Sequence, residues 1–251
     1  MNHLLRYCLS LGSCLLPVVA QAQLKSIPQE FMSSTVVLTS GDTLRGSLVL
    51  HTELDLLLVT LPDKTVRTVP ALAVRTFAVR DEIMRSDRLP MAYGGQPGFG
   101  AGRVLRRWYP VQRARPYLVY AWNHDREQAG SAAPAFFERL NGGPVILLRR
   151  QQLVRRTVAW SDPALGWGYG MPSGYSYRYI DVRELLYLGT PQGGIVPLRK
   201  PKRDLLAYFP AEAEQLEQYA RQHSLDYADS LHLARLVDYA NSLRQATASA
   251  Q

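Results

Sequence analysis

Histidine is the first residue type to weigh for chemistry, and His51, His124, His223 and His232 follow residue 22. None stands at metal-ligand spacing from another, and no thiolate accompanies them, so no metal site is expected. His124 lies in the densest polar string, Asn123-His124-Asp125-Arg126-Glu127. A histidine beside a carboxylate can do acid–base work, but neighbours along a strand point to opposite faces, which makes this string loop polarity. Ala228-Asp229-Ser230-Leu231 is similar to the Gly-Asp-Ser-Leu hydrolase signature. That signature needs an exposed serine after an N-terminal strand, whereas Ser230 opens a C-terminal helix. No Gly-x-Ser-x-Gly elbow is present. The glycine run from Gly94 to Gly102 contains Pro97 and lacks the preceding strand and following helix of a dinucleotide loop. No cofactor is expected, and no catalytic residue is assigned.

Two groups of residues are better suited to binding. Residues 103–156 hold eleven arginines against Asp125, Glu127 and Glu138. Within them Arg103, Arg106, Arg107, Arg149 and Arg155 are candidates to meet an anionic partner. The plain alternative is that arginine simply replaces lysine in this chain and flanks its strands. The second group is aromatic: Trp160, Trp167, Tyr169, Tyr175, Tyr177 and Tyr179 surround a Gly-rich loop at 166–174. Such rings can stack on sugars or bases. Tyr175, Tyr177 and Tyr179 would share one face of a strand, which is equally how a sheet covers itself.

The first 22 residues have the layout of a secretory leader. Arg6 supplies the charge, Cys8 to Ala20 is mostly apolar, and Ala20-Gln21-Ala22 gives small residues at −3 and −1. Cleavage between Ala22 and Gln23 would remove Cys8 and Cys14, the two cysteines of the chain. Leu11-Gly12-Ser13-Cys14 also resembles a lipobox, which would leave a lipidated Cys14; the apolar residues after Cys14 argue against it. After residue 22 no apolar run approaches the roughly 20 residues of a membrane helix. The net charge of +8 is uneven, because residues 204–251 are acidic and the remainder is strongly basic.

The body that must position these groups is predicted to be α+β. Residues 23–33 read as a polar lead-in. Residues 34–80 alternate and turn like a β-meander or small barrel of five short strands. A linker with the Gly-rich loop occupies 81–115, and a second β-rich segment covers 116–203, with Asn141-Gly142-Gly143 as a type I′ hairpin turn. Residues 204–251 turn helical. Asp204 begins one helical turn, Pro210 opens a helix through Gln222, and Asp229 caps a last helix with Leu233, Leu236, Val237, Ala240 and Leu243 as its stripe. The tail after Arg244 is expected to fray. A helical C-terminus argues against an outer-membrane barrel, which ends in a closing strand.

Gly41-Asp42-Thr43-Leu44-Arg45-Gly46, the 54–61 apolar run and the Phe136-Phe137-Glu138-Arg139-Leu140 hairpin strand carry a resemblance. The chain resembles an uncharacterised family of secreted or periplasmic Bacteroidota proteins. The resemblance implies an envelope location and assigns no catalytic residue. The resulting expectation is an exported, non-enzymatic binding module, in the periplasm or outside the cell. Its partner would be an anionic envelope polymer or another envelope protein rather than nucleic acid. A hydrolase acting on envelope polymers is the alternative.

Overall fold

A computed structural model describes residues 27–83, 114–125, 132–160 and 175–249. Among these residues ten strands form one antiparallel sheet. They are β1 (Gln29–Leu38), β2 (Thr43–His51), β3 (Leu56–Thr60), β4 (Val66–Pro70), β5 (Val74–Glu82), β6 (Arg115–Trp122), β7 (Ala133–Arg139), β8 (Ile146–Trp160), β9 (Tyr175–Gly189) and β10 (Ile195–Pro197). Three helices follow: α1 (Pro201–Tyr208), α2 (Ala213–Gln222) and α3 (Ser230–Ser249). The protein is thus α+β with a helical C-terminus, and the two β-rich stretches share a single sheet.

The strand order is β10-β9-β8-β7-β6-β5-β1-β2-β3-β4. After a short 3-10 turn at Ala71–Ala73 the chain returns, so β5 pairs with β1 and not with β4. The sheet therefore stays open, with β4 and β10 as its edges. β1 also starts earlier than its polar residues suggest. Gln29 pairs with Leu50, and Gln29 and Phe31 are buried. A register shift between Phe31 and Ser34 breaks the alternation there, which hides the strand from a period-2 search.

Apolar burial divides into three clusters. Phe31, Val36, Leu48, Leu57, Phe77 and Phe136 anchor the first, between β1–β7. Leu147 and Leu188 of the sheet receive Leu205, Phe209, Leu216, Leu233 and Leu236 of the helices in the second. Trp122, Phe137, Leu148 and Tyr187 form the third. Of the predicted stripe of α3, Leu233, Leu236, Val237 and Ala240 are buried and Leu243 is half-buried.

Details at the turns differ from expectation. The β7–β8 connection is not a two-residue type I′ turn; among residues 141–143, only Gly143 takes a positive φ. The buried Asn141 side chain instead accepts from the Leu147 N–H and donates to Asp238 of α3 at 2.8 Å. Asn241 of α3 accepts from the Val145 N–H and donates to its carbonyl. Pro201, not Asp204, opens α1, and Asp204 accepts from the Lys200 N–H at 2.7 Å. Pro210 lies in a turn ahead of α2. Asp229 does cap α3, accepting from the N–H groups of Leu231 and His232. That helix runs on to Ser249 rather than ending near Arg244.

Candidate functional site

Antiparallel register places Glu138 of β7 opposite Tyr117 of β6 and Arg149 of β8. The Glu138 carboxylate accepts from Arg115 at 2.8 and 3.0 Å and from Arg149 at 3.0 Å. Arg149 reaches on to Glu184 at 3.2 Å, and Arg115 to Glu82 at 3.0 Å. Carboxylates and guanidinium groups thus alternate across five strands, β5 to β9, and Gln151 accepts a further bond from Arg115. Burial works against the Glu138 charge, but Arg115 and Arg149 hold its pKa below the ordinary glutamate value.

A group whose folded pKa is depressed adds stability above its unfolded pKa and loses it as the pH falls through the folded value. The Glu138 contribution is therefore complete above about pH 4.5 and is lost below it. Thermal unfolding followed by circular dichroism should show a steep acid limb below that pH. Glu138→Gln should flatten it; an unchanged limb would exclude Glu138 as its source.

On the opposite strand face, Arg150 is 2% exposed and forms a two-pronged pair with Asp55, at 2.7 and 3.0 Å. β7 and β8 pair only at Glu138↔Arg149 and Arg139↔Leu148. Beyond that, Asp55 accepts from the Phe136 N–H and Arg150 donates to the Phe136 carbonyl. The pair takes the place of the missing ladder bonds. Arg150 also donates to the Thr52 carbonyl and lies 4.5 Å from the Trp122 ring centre. Asp125 accepts from Trp122 Nε1 at 2.9 Å and from the Tyr187 hydroxyl at 2.8 Å. His124 rests against the Trp122 ring, its centre 4.3 Å away. The Asn123–Asp125 string thus folds onto the third core cluster.

The described residues also form an accessible cleft of about 920 Å³, which follows β9 outward from where β10 ends. Pro197 and Leu198 end the pairing with β9, and the chain then turns through Arg199-Lys200-Pro201-Lys202-Arg203 into α1. These cations form one lip, while Leu185, Leu186, Leu198 and Leu206 provide apolar lining. Tyr227 stands in the far wall, its hydroxyl buried and without a hydrogen-bond partner among the described residues. Lys202 is held by Glu217 at 2.7 Å and Arg203 by Asp204 at 2.8 Å. Arg199 and Lys200 are exposed and lie in no ion pair with a described residue.

The expected binding residues fare unequally. Arg149 is in the sheet interior, its charge met by Glu138 and Glu184. Backbone register sets Trp160 opposite Tyr175, Val158 opposite Tyr177, and Arg156 opposite Tyr179, with Arg155 opposite Ile180. Arg103, Arg106, Arg107, Trp167, Tyr169, the glycine run at 94–102 and the leader with Cys14, Ala22 and Gln23 lie outside the described residues. The basic lip at 199–203 was missed by a count that stressed residues 103–156. Its signal was available: four cations in five residues, directly before the acidic helices. No protein family, curated protein or solved structure matches the chain.

Proposed function

We propose that this is an exported, non-enzymatic binding module of the cell envelope, which meets an anionic partner at the cleft between β9 and α1. The observation that carries the reading is the conjunction of an open cleft with Arg199 and Lys200 on its lip. Exposed cations beside a recess attract and orient anions, while interior pairs such as Arg149–Glu138 cannot. Hydrolysis has less support among the described acids. Asp125 is occupied by Trp122 and Tyr187, and Glu184 by Arg149 and Gln151.

Dextran sulfate is a suitable probe of the anionic reading. Binding should weaken as salt rises through the range where the Debye length falls from about 10 Å to 3 Å. Arg199→Ala together with Lys200→Ala should weaken it by on the order of tenfold, since each removes a charge-assisted contact. Both residues are exposed, so circular dichroism should be unchanged. Salt-insensitive binding, or equal binding by the variant, would end the proposal for this cleft.

A further inference from the structure

The lining of the cleft says more about the partner than its charge does. Leu186 and Leu206 are only half-buried, share one face of the sheet and line the same recess as the cations. A hydrated polymer gains nothing from such a surface, whereas a hydrocarbon chain gains free energy with every methylene removed from water. Arg199 and Lys200 follow directly on Leu198, so cation and apolar lining are adjacent rather than at opposite ends. The volume, about 920 Å³, suits a single small-molecule ligand. The half-buried leucines lie in a recess between β9 and α1.

From this juxtaposition we infer that the cleft takes a single-chain anionic amphiphile. Its acid headgroup sits on Arg199 and Lys200, and its hydrocarbon chain lies along Leu186 and Leu206, which share the helical face of the sheet. This rests on the anionic reading above and narrows it. Calorimetry of the full chain with octanoate and decanoate below their micellar concentrations tests it. Saturable one-to-one binding is expected, tightening about fourfold for each methylene that the lining accepts. Leu206→Glu should abolish the chain-length effect, and Arg199→Glu with Lys200→Glu should weaken binding by tenfold or more. The second variant carries the test if the first fails to fold. Equal affinity for decanol and decanoate, affinity independent of chain length, or binding only to phosphatidylglycerol vesicles would overturn the inference. Dextran sulfate binding without decanoate binding would overturn it while leaving the anionic reading standing; loss of both removes both.

Discussion

Asp55→Ala is expected to destabilise the protein by about 3–5 kcal/mol in urea unfolding, the cost of leaving a buried charge without its partner. Arg150 is almost completely buried, and its Nε has no hydrogen-bond partner among the described residues even in the intact pair. Removing Asp55 takes away both carboxylate bonds and also the acceptor of the Phe136 N–H. The carbonyls of Thr52 and Phe136 would remain, and they carry no charge to balance the guanidinium. Adding Arg150→Met to Asp55→Ala should recover much of the loss, because an apolar chain of similar length no longer needs a counter-charge. A loss under about 1 kcal/mol for Asp55→Ala would mean that Arg150 finds water or another acceptor, and the clasp would then be of little consequence.

The second large effect is expected at Gly46. A Cβ at this position would lie 1.9 Å from the Thr60 carbonyl oxygen and 2.9 Å from its carbon. Both are backbone atoms, so no side-chain rotation relieves the clash. Ser34 pairs with Gly46 and donates to its carbonyl at 2.9 Å, so the residue is held from the other side as well. Gly46→Ala must therefore push β2 and β3 apart beside the first core cluster, at roughly 3 kcal/mol, the upper end for overpacking. Gly41→Ala is the control. There a Cβ meets nothing within 4 Å, although φ is +97°, so only the backbone preference of about 1 kcal/mol is lost. Equal losses for the two variants in thermal unfolding would show that backbone preference, and not the contact with Thr60, explains Gly46.

The strands and the last helix were legible because their signals are local. The 54–61 run, the alternation along β2 and the 3 and 4 spacing of α3 depend only on neighbouring residues. The return of β5 to β1 is not local, and nothing near Ala71–Ala73 states which strand will receive Val74. The Asn-Gly-Gly turn shows the opposite problem. Its local preference points to a tight hairpin, but Asn141 finds better partners in Leu147 and Asp238, the latter 97 residues away. Tertiary bonds override turn propensity there. Charge counting located the arginines but not their partners. Arg149 and Arg150 are adjacent in sequence, yet β-alternation sends one to Glu138 and the other to Asp55. The cleft depends on where β10 stops, which composition does not record.

The position of β1 bears on the order in which the molecule can assemble. It is the first of the described strands but lies inside the sheet, between β5 and β2. Both of its neighbours are complete by Glu82, so a five-strand nucleus is available before most of the chain has been synthesised. The later strands can then add outward from β5, one hairpin at a time, towards the helices. The bond from the Ile27 N–H to the Leu153 carbonyl and the Asp55–Arg150 clasp must wait for the far half to arrive. Growth from a finished centre keeps unpaired strand edges few at every stage, which limits aggregation while a chain is incomplete.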